Sequence, residues 1–265
     1  MTAVDFITEL FCKVYDELGN RRIENHPQEK MHVSEIVTLA LLYALKGCGQ
    51  RKFYRWVRAN HLDIFPHLLE RTRLFRKFNV HRVEADEFLA SPSLIGVIDS
   101  YGIELLHPRR EGRSESQIGK KGLSNRRWIV GGKLCFVLDH LGQIVDWDCN
   151  TANVYDGSAF QYLVDKFRND MVIFSDMGFE KIDWFPTNLR TCKRGEWNVR
   201  MVVESVLSML TRICHFKQMA HRSWRYFETH LGFTMALFNI LVGWDGLSAE
   251  PDGFVPLSIV QFDIL

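Results

Sequence analysis

Ser93-Leu-Ile-Gly-Val-Ile-Asp99-Ser100 is the stretch on which the reading of this chain turns. Leu94 to Ile98 is a short, unbroken apolar run bounded by polar residues, the pattern of a strand covered on both faces. It ends on an aspartate. A carboxylate at the end of a buried element is costly unless a cation gathers it, so the same segment marks a central strand and a candidate site.

On its N-terminal side, residues 1 to about 88 read as helical. Ser34 is placed to cap a helix carrying Ile36, Leu39, Leu41, Leu42 and Leu45 that ends at Gly47. A second helix, from about Gln50 to Asn60, would put Arg51, Arg55 and Arg58 on one face and turn Phe53, Trp56 and Val57 inward. Two helices joined at Gly47-Cys48-Gly49 fit a helix-turn-helix that docks on DNA, or a helical hairpin covering a catalytic domain.

On the C-terminal side, Trp128 to Leu138 and Gln143 to Cys149 read as strands joined by a hairpin turn at Asp139-His-Leu-Gly142. A helix from about Asp156 to Arg168 precedes a strand from Met171 to Ser175. A short strand at Leu189 to Cys192 follows, then a helix from Glu196 to about Phe216 and a last one from about Tyr226 to Val242. Three antiparallel strands followed by alternating helices and strands describe an α/β layer fold. The expected division is a helical N-terminal region (1–88), a catalytic domain (89–245) and a weakly patterned tail (246–265).

Asp176, in Val-Ile-Phe-Ser-Asp-Met-Gly-Phe, ends a second apolar run, and Glu204 lies among Val202, Val203, Val206 and Leu207. Strand ends in an open α/β sheet are where ligands bind. Three acids gathered there would repel one another without a cation, and hard oxygen donors suit Mg²⁺ or Mn²⁺. A pair of such ions clamps the attacking and leaving oxygens of a phosphodiester displacement. Each acid also has a plainer reading: an Asp ending a strand begins many turns, and Glu204 can pair with Arg200 one helical turn away.

The net charge of +1 hides strong segregation. Arg51 to Arg82 carries +7, His107 to Lys133 carries +6, and Arg190 to Arg225 carries +6. Such stretches suit phosphate-facing surfaces, although many charged runs are only solvated helix faces. A hydrophobic content of 46% with 25% charged residues is that of a globular protein. The N-terminus lacks the basic start of a signal peptide, and the apolar stretch Leu231 to Trp244 is shorter than the roughly 18 residues a membrane span needs. A cytoplasmic protein is expected, with six scattered, reduced cysteines acting as small core residues.

Trp197-Asn-Val-Arg200-Met-Val-Val-Glu204 is similar to the Tyr-x2-Arg-x3-Glu-x6-Lys signature of DDE transposases of bacterial insertion sequences. Arg200 and Glu204 match in type and spacing. Trp197 replaces the tyrosine, and Thr211 stands where the lysine would be, with Arg212 next to it and Lys217 beyond. Ile98-Asp99-Ser100 and Ser175-Asp176-Met-Gly178 resemble the first and second catalytic aspartates of that family, with Gly178 letting the chain turn sharply. Thr151-Ala-Asn-Val-Tyr-Asp156 resembles the segment before the second aspartate, in which Asp156 is a supporting residue.

The resemblance covers about residues 35 to 245. It implies a ribonuclease-H-like mixed sheet flanked by helices, with Asp99, Asp176 and Glu204 holding Mg²⁺ or Mn²⁺. It further implies supporting roles for Arg200, Asp156 and Trp197, nicking of DNA at element ends, strand transfer by the freed 3′-hydroxyl, and a homodimer on paired ends. Arg109, Arg110, Lys120, Lys121, Arg126 and Arg127 would line the DNA path with Arg51, Arg55, Arg58, Arg212 and Lys217, mostly through phosphates. Trp128 and Trp197 are candidates to stack on a displaced base, and equally candidates for the core. Two other readings stay open: a related nuclease that hydrolyses without joining strands, and a repurposed transposase that only binds DNA.

Overall fold

In the computed structural model the described residues are 2–19, 29–124, 126–179, 185–192, 200–217, 219 and 221–244, with the side chains of Arg200 and Met201 left aside. Four helices come first: α1 (Ala3–Gly19), α2 (Val33–Lys46), α3 (Gln50–Asn60) and α4 (Arg71–Val80), then a 3-10 segment at Val83–Phe88. Helix α2 is apolar on nearly every face because it is packed on nearly every face, with α1, α4 and α7 (Trp224–Val242) around it. It stops at Gly47, whose φ of 51° lies in the left-handed region open to glycine. Its N-cap is His32 and not Ser34. His32 Nδ1 accepts from the Ser34 N–H at 3.2 Å, and Glu35 accepts from the His32 N–H at 2.6 Å, so a histidine takes the hydroxyl's part in a capping box.

The sheet is mixed. Strands β1 (Ile95–Leu106), β3 (Arg127–Asp139) and β4 (Ile144–Thr151) run antiparallel, and β2 (Lys120–Ser124) pairs with the first part of β3. Strand β5 (Val172–Ser175) lies parallel to β1, and β6 (Leu189–Thr191) parallel to β5. The order is β2-β3-β1-β5-β6, with β4 also bonded to β3. Asp139 makes the β3–β4 turn by accepting from the Leu141 and Gln143 N–H groups, and Gly142 takes a φ of 80°.

Residues Ile129 to Asp139 of β3 are all buried, since both faces of the sheet are covered. On one face Val97, Leu134, Phe136 and Leu138 join a core shared with α7, α6 (Arg200–Arg212) and the N-terminal helices. On the other, Ile98, Cys135 and Val137 meet Phe160, Leu163 and Val164 of α5 (Asp156–Lys166). Asn239 of α7 ties the layers: it accepts from the Ile144 N–H at 2.8 Å and donates to the Phe88 and Ile144 carbonyls. This is the ribonuclease-H-like α/β arrangement the resemblance implies, behind a helical N-terminal region. Among the described residues no helix is long and apolar enough to cross a membrane. Of the cysteines, Cys135, Cys149 and Cys214 are buried as expected, but Cys12 is exposed.

Candidate active site

The expectation that Asp99 ends a strand is corrected. Strand β1 runs seven residues past it to Leu106, because the antiparallel ladder with β3 continues, with Asp99 opposite Phe136. What ends near Asp99 is the parallel pairing with β5: its last paired residues are Val97 and Phe174. Asp99 and Asp176 each lie two residues beyond that pair, at the same level of neighbouring strands, which run about 4.8 Å apart. Both carboxylates are aimed by backbone N–H groups. Asp99 Oδ1 accepts from Ser100 at 2.7 Å, and Asp176 Oδ1 accepts from Gly178 at 2.8 Å.

Gly178 has a reason other than the sharp turn expected of it. Its φ is not positive; it sits in the 3-10 turn Met177–Phe179, and a Cβ there would lie 2.8 Å from Asp176 Oδ1. The glycine makes room for the carboxylate.

Glu204 comes from α6. Glu204, Ser208 and Thr211 repeat at helical spacing on one stripe, while Val203, Val206 and Leu210 are buried on the other. That stripe, Asp99 and Asp176 line a single cavity of about 720 Å³. Asp156, at the start of α5, and the cations Lys133, Arg212 and Lys217 share its wall. Thr211 turns its hydroxyl onto the Leu207 carbonyl at 2.7 Å, so the position of the signature lysine holds no cation. Lys217 Nζ stands 4.8 Å over the Tyr101 ring. Burial first, then the negative charges of Asp156 and Asp99, push the Cys135 thiol well above its ordinary range.

Among the described residues no three His, Cys, Asp or Glu side chains converge closely enough to enclose a metal ion. Mg²⁺ keeps several waters and is bound through one or two carboxylates. Two aspartates at matching level, with a glutamate across the cavity, fit such a hydrated ion in donor chemistry, and do not fit a dehydrated ion caged by three side chains.

The remaining expected site residues that are described do not line the cavity. Arg51, Arg55 and Arg58 are exposed on α3. Arg109 and Arg110 are exposed in the connection after β1, and Lys120, Lys121, Arg126 and Arg127 on the β2–β3 hairpin. Lys121 and Arg127 are partly spoken for, by Glu111 at 3.1 Å and Glu104 at 2.8 Å. Trp128 is 57% exposed on the same hairpin and is not a core residue. Trp197 and the Arg200 side chain fall outside the described residues. Lys133 was missed except as one charge in a basic window, though it is the lone cation in the apolar run Ile129 to Leu138.

Residues 90–199 match the family model described as a transposase DDE domain. The chain carries a transposase DDE domain. No curated protein matches the chain. The matched segment contains β1 to β6, with Asp99, Asp156 and Asp176, and stops just before α6 and Glu204. DDE transposases as a class bind DNA and use divalent metal ions, and the resemblance read from Asp99, Asp176 and the Arg200–Glu204 spacing points to the same family.

Proposed function

We propose that this transposase nicks DNA at the ends of its element and joins the freed 3′-hydroxyl to target DNA, with Asp99, Asp176 and Glu204 as the metal-holding carboxylates. The observation that supports this reading is that three acids from β1, the β5 turn and α6 line one cavity, although 77 residues separate Asp99 from Asp176 and 28 separate Asp176 from Glu204. Mg²⁺ or Mn²⁺ held by Asp99, Asp176 and Glu204 would supply Lewis acidity there and lower the pKa of an oxygen nucleophile. Asp99 and Asp176 are pre-aimed by the Ser100 and Gly178 N–H groups, which lowers the cost of bringing their oxygens to one point. Arg212 and Lys217, both exposed at the cavity wall, meet the negative DNA backbone.

The exposed cations of α3 and of the β2–β3 hairpin extend the DNA surface through phosphates, independently of sequence. In this reading residues 1–88 bind DNA, 89–245 form the catalytic domain with Arg200, Asp156 and Trp197 supporting it, and two copies pair the element ends. The test is replacement of Asp99, Asp176 or Glu204 by Ala, assayed with end DNA in Mg²⁺. Cleavage should vanish while DNA binding stays near wild type, and normal cleavage in the three variants refutes the assignment. A substrate with a free 3′-hydroxyl separates strand transfer from simple hydrolysis. The missing cation at Thr211 favours a second reading, a protein that binds DNA without cutting it. Magnesium calorimetry decides between them, because only the enzyme shows binding that depends on Asp99.

A further inference from the structure

Lys133 is 8% exposed, the only charged residue between Ile129 and Leu138 of β3, and it lines the cavity of the three acids. Its ammonium is fixed from two sides. It stands 2.7 Å from Asp156 Oδ1 and donates to the Val154 carbonyl at 2.8 Å, both on the connection from β4 into α5. A lysine carries three N–H donors: the Val154 carbonyl takes one, and Asp156 Oδ1 pairs with the ammonium by charge and not through a formed hydrogen bond, so donor capacity remains for a ligand.

An unpaired charge so deeply buried is costly, and Asp156 offsets that cost. Neutralising Asp156 alone does not require a lysine that opens on a cavity, nor the sacrifice of its rotamer freedom. A phosphodiester entering between Asp99, Asp176 and Glu204 meets repulsion from those acids, and a cation held in one place on the wall opposes it. We propose that Lys133 is a substrate-binding residue, that one of its remaining N–H groups donates to a non-bridging oxygen of the DNA phosphate seated in the cavity, and that Asp156 is its positioning residue. This rests on the phosphodiester reading above and adds to it a specific phosphate contact.

The experiment compares Lys133→Met, Lys133→Arg, Asp156→Asn and the double variant Lys133→Met/Asp156→Asn on duplexes carrying the sequence ends that flank the coding region. Loss of a charge-assisted contact should slow single-turnover cleavage in Lys133→Met by about tenfold to a hundredfold. Lys133→Arg should recover part of that loss. The double variant removes both charges and so relieves any folding defect, yet it should stay as slow as Lys133→Met. A neutral methylphosphonate at the scissile position should slow the wild type by at least about tenfold more than it slows Lys133→Met. Wild-type rates in the double variant, or an equal methylphosphonate effect in both proteins, overturn the proposal. Should the wild type cleave none of these ends, the cleavage reading falls. The phosphate contact is then judged by inorganic phosphate titrated against the Lys133 ammonium resonance: a saturable shift that weakens in Asp156→Asn supports it, and no shift refutes it.

Discussion

Gly178→Ala separates site geometry from folding. The added Cβ would lie 2.8 Å from Asp176 Oδ1, closer than such atoms approach, and what it meets is the tip of a side chain and not backbone. The carboxylate can swing away, so the fold is spared. What is lost is the hydrogen bond from the Gly178 N–H to Asp176 Oδ1 at 2.8 Å. Bonds to charged groups contribute about 1.5–3 kcal/mol. Asp176 is exposed, so water takes up part of that and the lower figure applies. About 1.4 kcal/mol is a tenfold change in affinity. Calorimetric titration with Mn²⁺ should therefore show binding weakened by about tenfold, and end cleavage should become more demanding of metal by a similar factor. The melting temperature should fall only modestly, because the lost bond lies in an exposed 3-10 turn and contributes no more than about 1.5 kcal/mol to the fold. Unchanged Mn²⁺ affinity in a folded Gly178→Ala protein would refute the role given to Asp176 and its turn. A large loss of melting temperature would refute the claim that Gly178 is there for the carboxylate alone.

Gly47→Ala should unfold more easily: it forces an L residue to a φ of 51° and sets a Cβ 2.3 Å from that of His215. The left-handed penalty alone is about 1–2 kcal/mol, and the clash adds to it, so urea titration should show a loss of at least about 2 kcal/mol; a wild-type midpoint would contradict this packing. Stability should also fall in mild acid through the buried pair His221–His230, joined at 2.8 Å. Burial lowers His221 from 6.5 to about 4, and burial together with the His221 charge lowers His230 to about 3. The unfolded chain binds protons at these rings near pH 6.5 while the folded chain does not. Their contribution is thus complete above pH 6.5 and is lost as pH falls toward 4, at up to about 1.4 kcal/mol per pH unit for each ring. His221→Asn should flatten that slope in urea titrations between pH 6.5 and 4.5, and an unaltered slope would mean the pair is not buried neutral.

Elements with a strong pattern of their own were legible from sequence, namely α3, the β3–β4 hairpin, α5, β5 and α7. Elements made by their neighbours were not. Lys-Lys-Gly-Leu-Ser has no strand alternation, and β2 exists because it pairs with β3 between Arg127 and Gly131. The second half of β1 is hidden for another reason: Ser100 to Leu106 does alternate polar with apolar residues, but Asp99 reads as the strand's end, whereas the pairing with β3 runs on as far as Val130. The acids were legible because each interrupts an apolar run. Lys133 carries the same signal in β3 and was overlooked because it was counted with its basic surroundings. The role of Gly178 was beyond sequence altogether, since a close approach to Asp176 is a fact of tertiary placement.

The three carboxylates are held with unequal firmness, and this bears on how the site would close on an ion. Asp99 is half-buried on a twelve-residue strand bonded along its length to β3. Asp176 is exposed on a 3-10 turn just after the four-residue strand β5, and Glu204 is exposed on α6. A hydrated ion needs no three side chains around it, so any tightening on binding falls on the carboxylates with the least buried contact, which are the cheapest to move. Asp99 then acts as the fixed post to which Asp176 and Glu204 come. Hydrogen exchange with and without Mn²⁺ should show added protection at residues 176–179 and 202–208, and little change at 97–103. Protection gained chiefly in β1 would invert the order and make Asp99 the moving part.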